Sequence, residues 1–149
     1  DADAEAILQL FPANIQEAAF RAIRSGLTLY TPPAGIPELR EAVAAHYSTH
    51  QGLPTKAAQV VVSNGAKQSI HNALMALCGP GDEVIIPAPY WVSYPEMAKM
   101  AGAVPRVIET TPEEGFLLTP EKLRAALTPA SRLLILCTPS NPTGAVYSR

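Results

Sequence analysis

Val60-Val61-Val62-Ser63-Asn64-Gly65-Ala66-Lys67-Gln68-Ser69-Ile70, completed by Val84-Ile85-Ile86, is the stretch whose reading decides the fold. Val60 to Val62 is a short all-apolar run of the kind that forms a strand covered on both faces, and Val84 to Ile86 is a second. Between them Ile70, Ala73, Leu74 and Leu77 recur at helical spacing. The pattern predicts a strand-helix-strand unit. Downstream, Met97 to Ala101 with Gly102, Val104 to Ile108, Thr119-Pro120 opening Glu121 to Leu127, and the apolar run Leu133-Leu134-Ile135-Leu136-Cys137 continue the alternation. Upstream, Ile15, Ala18, Ala19, Ala22 and Ile23 mark an amphipathic helix between Pro12 and Gly26. Leu39, Ala42, Val43, His46 and Tyr47 mark another between Pro37 and Gly52. Alternating elements of this kind predict an α/β fold with a mostly parallel sheet flanked by helices.

Composition narrows the functions open to such a chain. At 149 residues it can form one domain and bury about two thirds of its unfolded surface. Hydrophobic residues make up 48% and charged residues 16%, which fits a well-buried globular protein, and no apolar run approaches the length of a membrane span. A net charge of −2, with 11 scattered basic residues, argues against nucleic acid as a partner. Cys78 follows a helical apolar stripe and Cys137 ends an apolar run, so both read as small buried hydrophobes of a reducing compartment. With no signal peptide in view, a cytoplasmic location is expected.

Four places carry chemistry. Asn141-Pro142-Thr143-Gly144 lies just past the run at 133–137, where ligands bind in open α/β sheets. Pro142 restricts Asn141 to an extended or turn conformation, so its amide is held; the same composition also suits a plain turn. Asn64-Gly65-Ala66-Lys67 forms a strand-to-helix step whose free N–H groups suit a phosphate, although many such turns contain glycine. Trp91, the only tryptophan, follows Pro87-Ala88-Pro89-Tyr90, a stretch too rich in proline for a central strand. It reads either as a loop aromatic on a core edge or as a ligand platform. His46 and His50 stand four residues apart, but no third ligand is near and His46 falls in an apolar stripe, so structural histidines are expected and no metal site. Glu113-Glu114 reads as a solvated turn pair. A serine-hydrolase elbow, a phosphate-binding Walker loop and a dinucleotide fingerprint are absent.

Three motifs, in order, are Tyr30-Thr31-Pro32-Pro33-Ala34-Gly35-Ile36-Pro37-Glu38-Leu39-Arg40, the segment from Ser63-Asn64-Gly65-Ala66-Lys67-Gln68 to Pro89-Tyr90-Trp91-Val92-Ser93-Tyr94-Pro95, and the Asn141 turn. Together they resemble class I/II aminotransferases that use pyridoxal 5'-phosphate, nearest the bacterial aspartate aminotransferase branch. The resemblance covers residues 12–149 and implies part of the large cofactor-binding domain of a fold-type I enzyme, whereas residues 1–11 look unlike the family. It implies that Gly65, Ala66 and Lys67 cradle the cofactor phosphate. Trp91 stacks on the pyridine ring, and Asn141, through a bond to Pro142 that the family often makes cis, donates to the phenolic oxygen; both border the substrate. Tyr30 reaches the phosphate of a neighbouring subunit, which implies a homodimer. The implied activity moves an amino group between an L-amino acid, aspartate in the first instance, and a 2-oxo acid. None of the four lysines, Lys56, Lys67, Lys99 and Lys122, has the context of the family's Schiff-base lysine. The resemblance therefore implies an incomplete N-terminal portion without a catalytic residue, inactive alone. Aromatic, alanine or prephenate aminotransferases and a non-catalytic half-site module are the alternatives.

Overall fold

A computed structural model describes residues 10–148; of the segment 1–11 set apart above, residues 1–9 lie outside the described residues. The chain runs α1 (Ala13–Arg24), α2 (Pro37–His50), a 3-10 turn (Ala57–Gln59), α3 (Ala66–Leu77), β1 (Glu83–Ala88), α4 (Ser93–Met100), β2 (Val104–Glu109), a second 3-10 turn (Pro112–Glu114), α5 (Pro120–Ala126) and β3 (Ser131–Leu134). It divides into two compact units, Asp1–Val62 and Ser63–Arg149.

In the second unit the three strands form a parallel sheet in the order β2-β1-β3, as the alternation of elements predicts. Val84, Ile85 and Ile86 are fully or almost fully buried because β1 has a strand on each edge. Val84 and Ile86 share one face, where α3 and α4 deliver Leu74, Tyr94, Met97 and Ala98, and Ala103 completes the cluster. Ile85, one residue out of phase, points to the other face. Thr119 caps α5 by accepting the Lys122 N–H at 3.3 Å, and Gly102 closes α4 at φ +80°.

Two expectations about these strands need correction. The proline-rich stretch at 87–89 was expected to lie outside a central strand, yet Pro87 and Ala88 belong to β1. In a parallel strand alternate residues bond to alternate neighbours. The Val104 N–H donates to the Asp82 oxygen and the Thr110 N–H to the Ala88 oxygen, while the Ile135 N–H donates to the Ile85 oxygen. Odd residues of β1 therefore face β3, and Pro87 lies past the point where that ladder ends, so its missing N–H breaks no bond. The run at 133–137 was expected to be a buried strand, but only one side is covered. Leu133 and Ile135 pack on the core cluster, while Leu134 and Leu136, which alternate to the opposite face, stay 37% and 47% exposed.

In the first unit α1 begins after Pro12 and ends at Gly26, but none of its residues is buried, and its apolar stripe stays exposed at Ile15 and Ile23. Helix α2 starts at Pro37, and the residue it buries is Ala44, off the centre of the expected stripe; Leu39 and Tyr47 are exposed. The reason is Arg40, which turns inward and donates from Nε to the Val60 oxygen at 2.9 Å and from Nη2 to the Ala57 oxygen at 2.8 Å. Those bonds hold Val60–Val62 extended, and the Val62 N–H donates to the Ala34 oxygen at 2.9 Å. The expected strand at 60–62 is not formed among the described residues: no ladder flanks it, and Val61 is 65% exposed. Gly35, at φ +99°, lets this segment pass, since a Cβ there would sit 2.5 Å from Val62 Cγ2.

At the N-terminal end of the sheet Glu83 ties three pieces together. Its carboxylate accepts from the Thr128 hydroxyl at 2.7 Å, the Ser131 hydroxyl at 3.3 Å and Arg106 Nη1 at 3.3 Å. The Thr128 hydrogen bond first, then the Arg106 charge, outweigh partial desolvation and hold this carboxyl below the usual range. A depressed folded value contributes stability above the unfolded value of about 4.3 and loses it as pH falls through the folded value. Thermal melts of Glu83→Gln should accordingly show a shallower loss of midpoint on acidification than the parent. Replacing the fully buried Leu74 by Ala should cost about 2–5 kcal/mol in urea unfolding.

Candidate functional site

Helix α3 opens on Gly65, whose φ of 86° and ψ of 163° lie in a region open essentially to glycine alone. No side chain caps this end. The N–H groups of Ala66, Lys67 and Gln68 fall in the first turn, where the helix has no acceptor for them. The Gln68 side chain instead folds back to accept the Asn64 N–H, which locks the approach to the turn. A Cβ placed on Gly65 would meet nothing within 4 Å, so the space before the helix is open. The result is a positively polarised helix end facing free volume.

Trp91 lies in the loop between β1 and α4, where its carbonyl accepts the Tyr94 N–H at 3.0 Å. Its side chain is 41% exposed, and Lys67 Nζ stands 6.0 Å from the ring centroid, a cation–π arrangement. Asn141 follows β3. The Ser140 N–H donates to the Ala145 oxygen and the Gly144 N–H to the Ser140 oxygen, both at 2.8 Å, and these bonds close the turn around Asn141. The Asn141–Pro142 bond is cis.

The two loops and the helix end meet. Ala66, Lys67, Trp91 and Asn141 line one recess of about 260 Å³ together with Ile70, Tyr94, Met97 and Cys137. Gly65 sits at its lip as the cap of α3 without lining it. Tyr30 belongs to the first unit, where its side chain is fully exposed beside Thr28 and Leu29. Four of the six residues singled out from sequence thus share one recess.

Sequence reasoning missed the apolar half of that recess. Ile70 was assigned to a core stripe and Cys137 to a buried strand end; both are only partly buried, and both reach the recess. Tyr94 also escaped notice. Its hydroxyl is pushed above the ordinary tyrosine value, first by burial and then by the adjacent Cys137 thiol. The available signal was spacing: Tyr94 is three residues after Trp91 on a helix start, and Ile70 is one turn beyond Ala66. Burial, with the nearby Asp82 carboxylate, likewise raises the Cys78 thiol, and both cysteines are free.

Two expectations outside the recess change. His46 and His50 are exposed rather than part of an apolar stripe, and their rings stack with centroids 4.6 Å apart. Glu113 is exposed, as expected, whereas Glu114 is half-buried and paired: it accepts from Lys122 Nζ at 2.6 Å and from the Thr111 N–H at 2.9 Å. Lys122 and the Thr111 N–H hold its carboxyl below the usual range.

A parallel sheet whose strand ends and preceding helix N-terminus converge on an aromatic-walled recess defines an α/β ligand-binding domain. Residues 3–149 match the family Aminotransferase class I and II, and the chain belongs to it. A bifunctional aspartate aminotransferase and glutamate/aspartate-prephenate aminotransferase of Petunia hybrida is 58% identical over 93% of this chain and 29% of its own length. An aspartate/prephenate aminotransferase of Thermus thermophilus is 50% identical over 93% of this chain and 36% of its own length. The solved aspartate aminotransferase from Thermus thermophilus with maleate superposes with a TM-score of 0.91 at 50% identity, over 93% of this chain and 36% of that one. An aromatic aminotransferase from Pyrococcus horikoshii gives 0.90 at 37% identity, over 93% and 37%. The chain spans about a third of the length of the curated relatives it matches. Its fold is that of the fold-type I cofactor-binding domain, and the family implies pyridoxal phosphate.

The backbone of Gly65 can be tested without steric interference. Gly65→Ala meets no neighbouring atom, so its cost is conformational, about 1–3 kcal/mol in denaturant unfolding.

Proposed function

We propose that this chain is the cofactor-holding portion of a cytoplasmic, homodimeric aspartate-type aminotransferase. The enzyme uses pyridoxal 5'-phosphate to move an amino group between an L-amino acid, aspartate foremost, and a 2-oxo acid. The observation that carries this reading is the single recess shared by Ala66, Lys67, Trp91 and Asn141. The residues fit the cofactor in three ways. The uncapped end of α3, opened by Gly65 and joined by the Lys67 ammonium, suits a dianionic phosphate. The exposed Trp91 face suits a flat aromatic ring and keeps water from it. The Asn141 amide, held in its closed turn, is a fixed donor for a ring oxygen. When bound, the cofactor supplies an electrophilic carbonyl carbon and an electron-withdrawing ring.

In this reading Trp91 and Asn141 also border the substrate, and the exposed Tyr30 hydroxyl donates to the phosphate held by a second subunit. The reaction's lysine is supplied from outside these 149 residues, so the chain alone is inactive. Lys99 is paired with Glu96 at 2.8 Å, Lys122 with Glu114 and the Glu109 carbonyl, and Lys56 flanks a 3-10 turn; Lys67 stands at the phosphate end. A second reading, in which prephenate shares the site with aspartate, draws on relatives whose names pair the two.

The sole tryptophan makes the proposal measurable. Pyridoxal phosphate added to the chain should quench Trp91 fluorescence. Asn141→Ala should weaken that binding about tenfold, the equivalent of one hydrogen bond of about 1.4 kcal/mol. Borohydride should fix no pyridoxyl group on any lysine at stoichiometric level. A peptide map with one fully modified lysine, or quenching indifferent to Asn141, would overturn it.

A further inference from the structure

The ladder between β1 and β3 stops at a definite bond. The Ile135 N–H donates to the Ile85 oxygen at 3.0 Å, and in a parallel pair the next bond would run from the N–H of residue 87 to the Ile135 oxygen. Residue 87 is proline and has no N–H. The bond after that would run from the Cys137 N–H to the Pro87 oxygen, and among the described residues it is not made. Cys137 donates instead through its thiol, to the Pro139 oxygen at 3.4 Å. Two carbonyls, of Pro87 and Ile135, and one N–H, of Cys137, are thus left without a protein partner among the described residues. All three belong to half-buried residues, where backbone polar groups are ordinarily bonded. Pro87, Ile135 and Cys137 also line one cavity of about 20 Å³, which is room for one water molecule.

From this geometry we infer that a single water molecule binds at the splayed end of the β1–β3 ladder, accepting from the Cys137 N–H and donating to the Ile135 and Pro87 carbonyls. Water has two protons to give and lone pairs to receive, which matches two carbonyls and one N–H, and about three hydrogen bonds is usual for a buried water. A cation would be repelled by the N–H and an anion by the carbonyls. The water does for Ile135 what the N–H of residue 87 cannot, and it holds the chain leaving β3 apart from β1. Asn141 lies four residues beyond Cys137 and lines both this cavity and the recess, so the water sets where the Asn141 turn stands. That positioning role rests on the cofactor reading above; the water site itself does not.

In the nitrogen-15-labelled chain, a water-selective nuclear Overhauser experiment should show a long-lived water at the Cys137 amide proton. It should show none at the Ile135 amide, which is bonded directly to Ile85. Pro87→Ala supplies the missing N–H. In that variant a scalar coupling across a hydrogen bond should appear from the nitrogen of residue 87 to the Ile135 carbonyl carbon, and the water signal at Cys137 should vanish. Oxygen-17 relaxation dispersion, which hydroxyl protons do not affect, should then count one fewer long-lived water than in the parent. Quenching of Trp91 by pyridoxal phosphate should need a severalfold higher concentration in Pro87→Ala. A parent without a water signal at Cys137 refutes the site whether or not Pro87→Ala folds, and so does an unchanged water count in the folded variant. Equal quenching in parent and Pro87→Ala refutes the positioning role, whereas a parent that pyridoxal phosphate does not quench counts against the cofactor reading and leaves the water site standing.

Discussion

Strand β1 must satisfy its backbone on two edges at once, and the rest of the second unit follows from that constraint. Even residues bond toward β2 and odd residues toward β3, so the backbone from Glu83 to Ile86 is directed to a neighbour on one edge or the other. With both edges taken, Val84 to Ile86 can be buried on both faces, and only apolar side chains serve there. Where the β3 ladder stops, Pro87 is tolerated, and the chain departs from the sheet into the loop that carries Trp91. The end of pairing on one edge is thus what starts the recess.

The polar ends of this sheet have different tasks. At the N-terminal end Glu83 is bonded to Thr128, Ser131 and Arg106, which leaves it committed to structure. At the C-terminal end the Ala66, Lys67 and Gln68 amides have no side-chain cap, and the Asn141 side chain is exposed. A folded domain of marginal stability does not leave donors uncapped at a rim without cost. Here Ala66 and Lys67 line the same recess as Trp91 and Asn141.

Much of the fold was legible because apolar runs and turn residues agree on the same boundaries: Gly102 ends α4, Thr119-Pro120 opens α5, and Val84-Ile85-Ile86 can hardly be anything but a buried strand. The failures share a cause, which is that pattern reports what a segment could pair with and not whether a partner is there. Val60-Val61-Val62 has strand composition but is held by Arg40 and one bond to Ala34 rather than by a ladder. Arg40 also shows why the α2 stripe was misplaced, since a long cation turned inward for two carbonyls rotates the buried face toward Ala44 and leaves His46 outside. In the site, the polar residues were legible from motif composition. The apolar wall was not, because Ile70 and Cys137 carry no chemical signature that separates a recess floor from a core.

That last confusion has a physical origin. Leu133, Ile135 and Cys137 alternate along one face of the chain leaving β3, and all three pack on the cluster of Leu74, Val84, Ile86, Tyr94 and Met97. Tyr94, Met97 and Cys137 then line the recess as well. The floor of the site is therefore the last layer of the hydrophobic core rather than a separate surface. Interiors packed at near-crystalline density transmit displacement instead of absorbing it. A change of volume at Leu74 or Ile86 is carried through Met97 and Tyr94 to the positions of Trp91 and Asn141, and the precision of the rim is inherited from the packing beneath it.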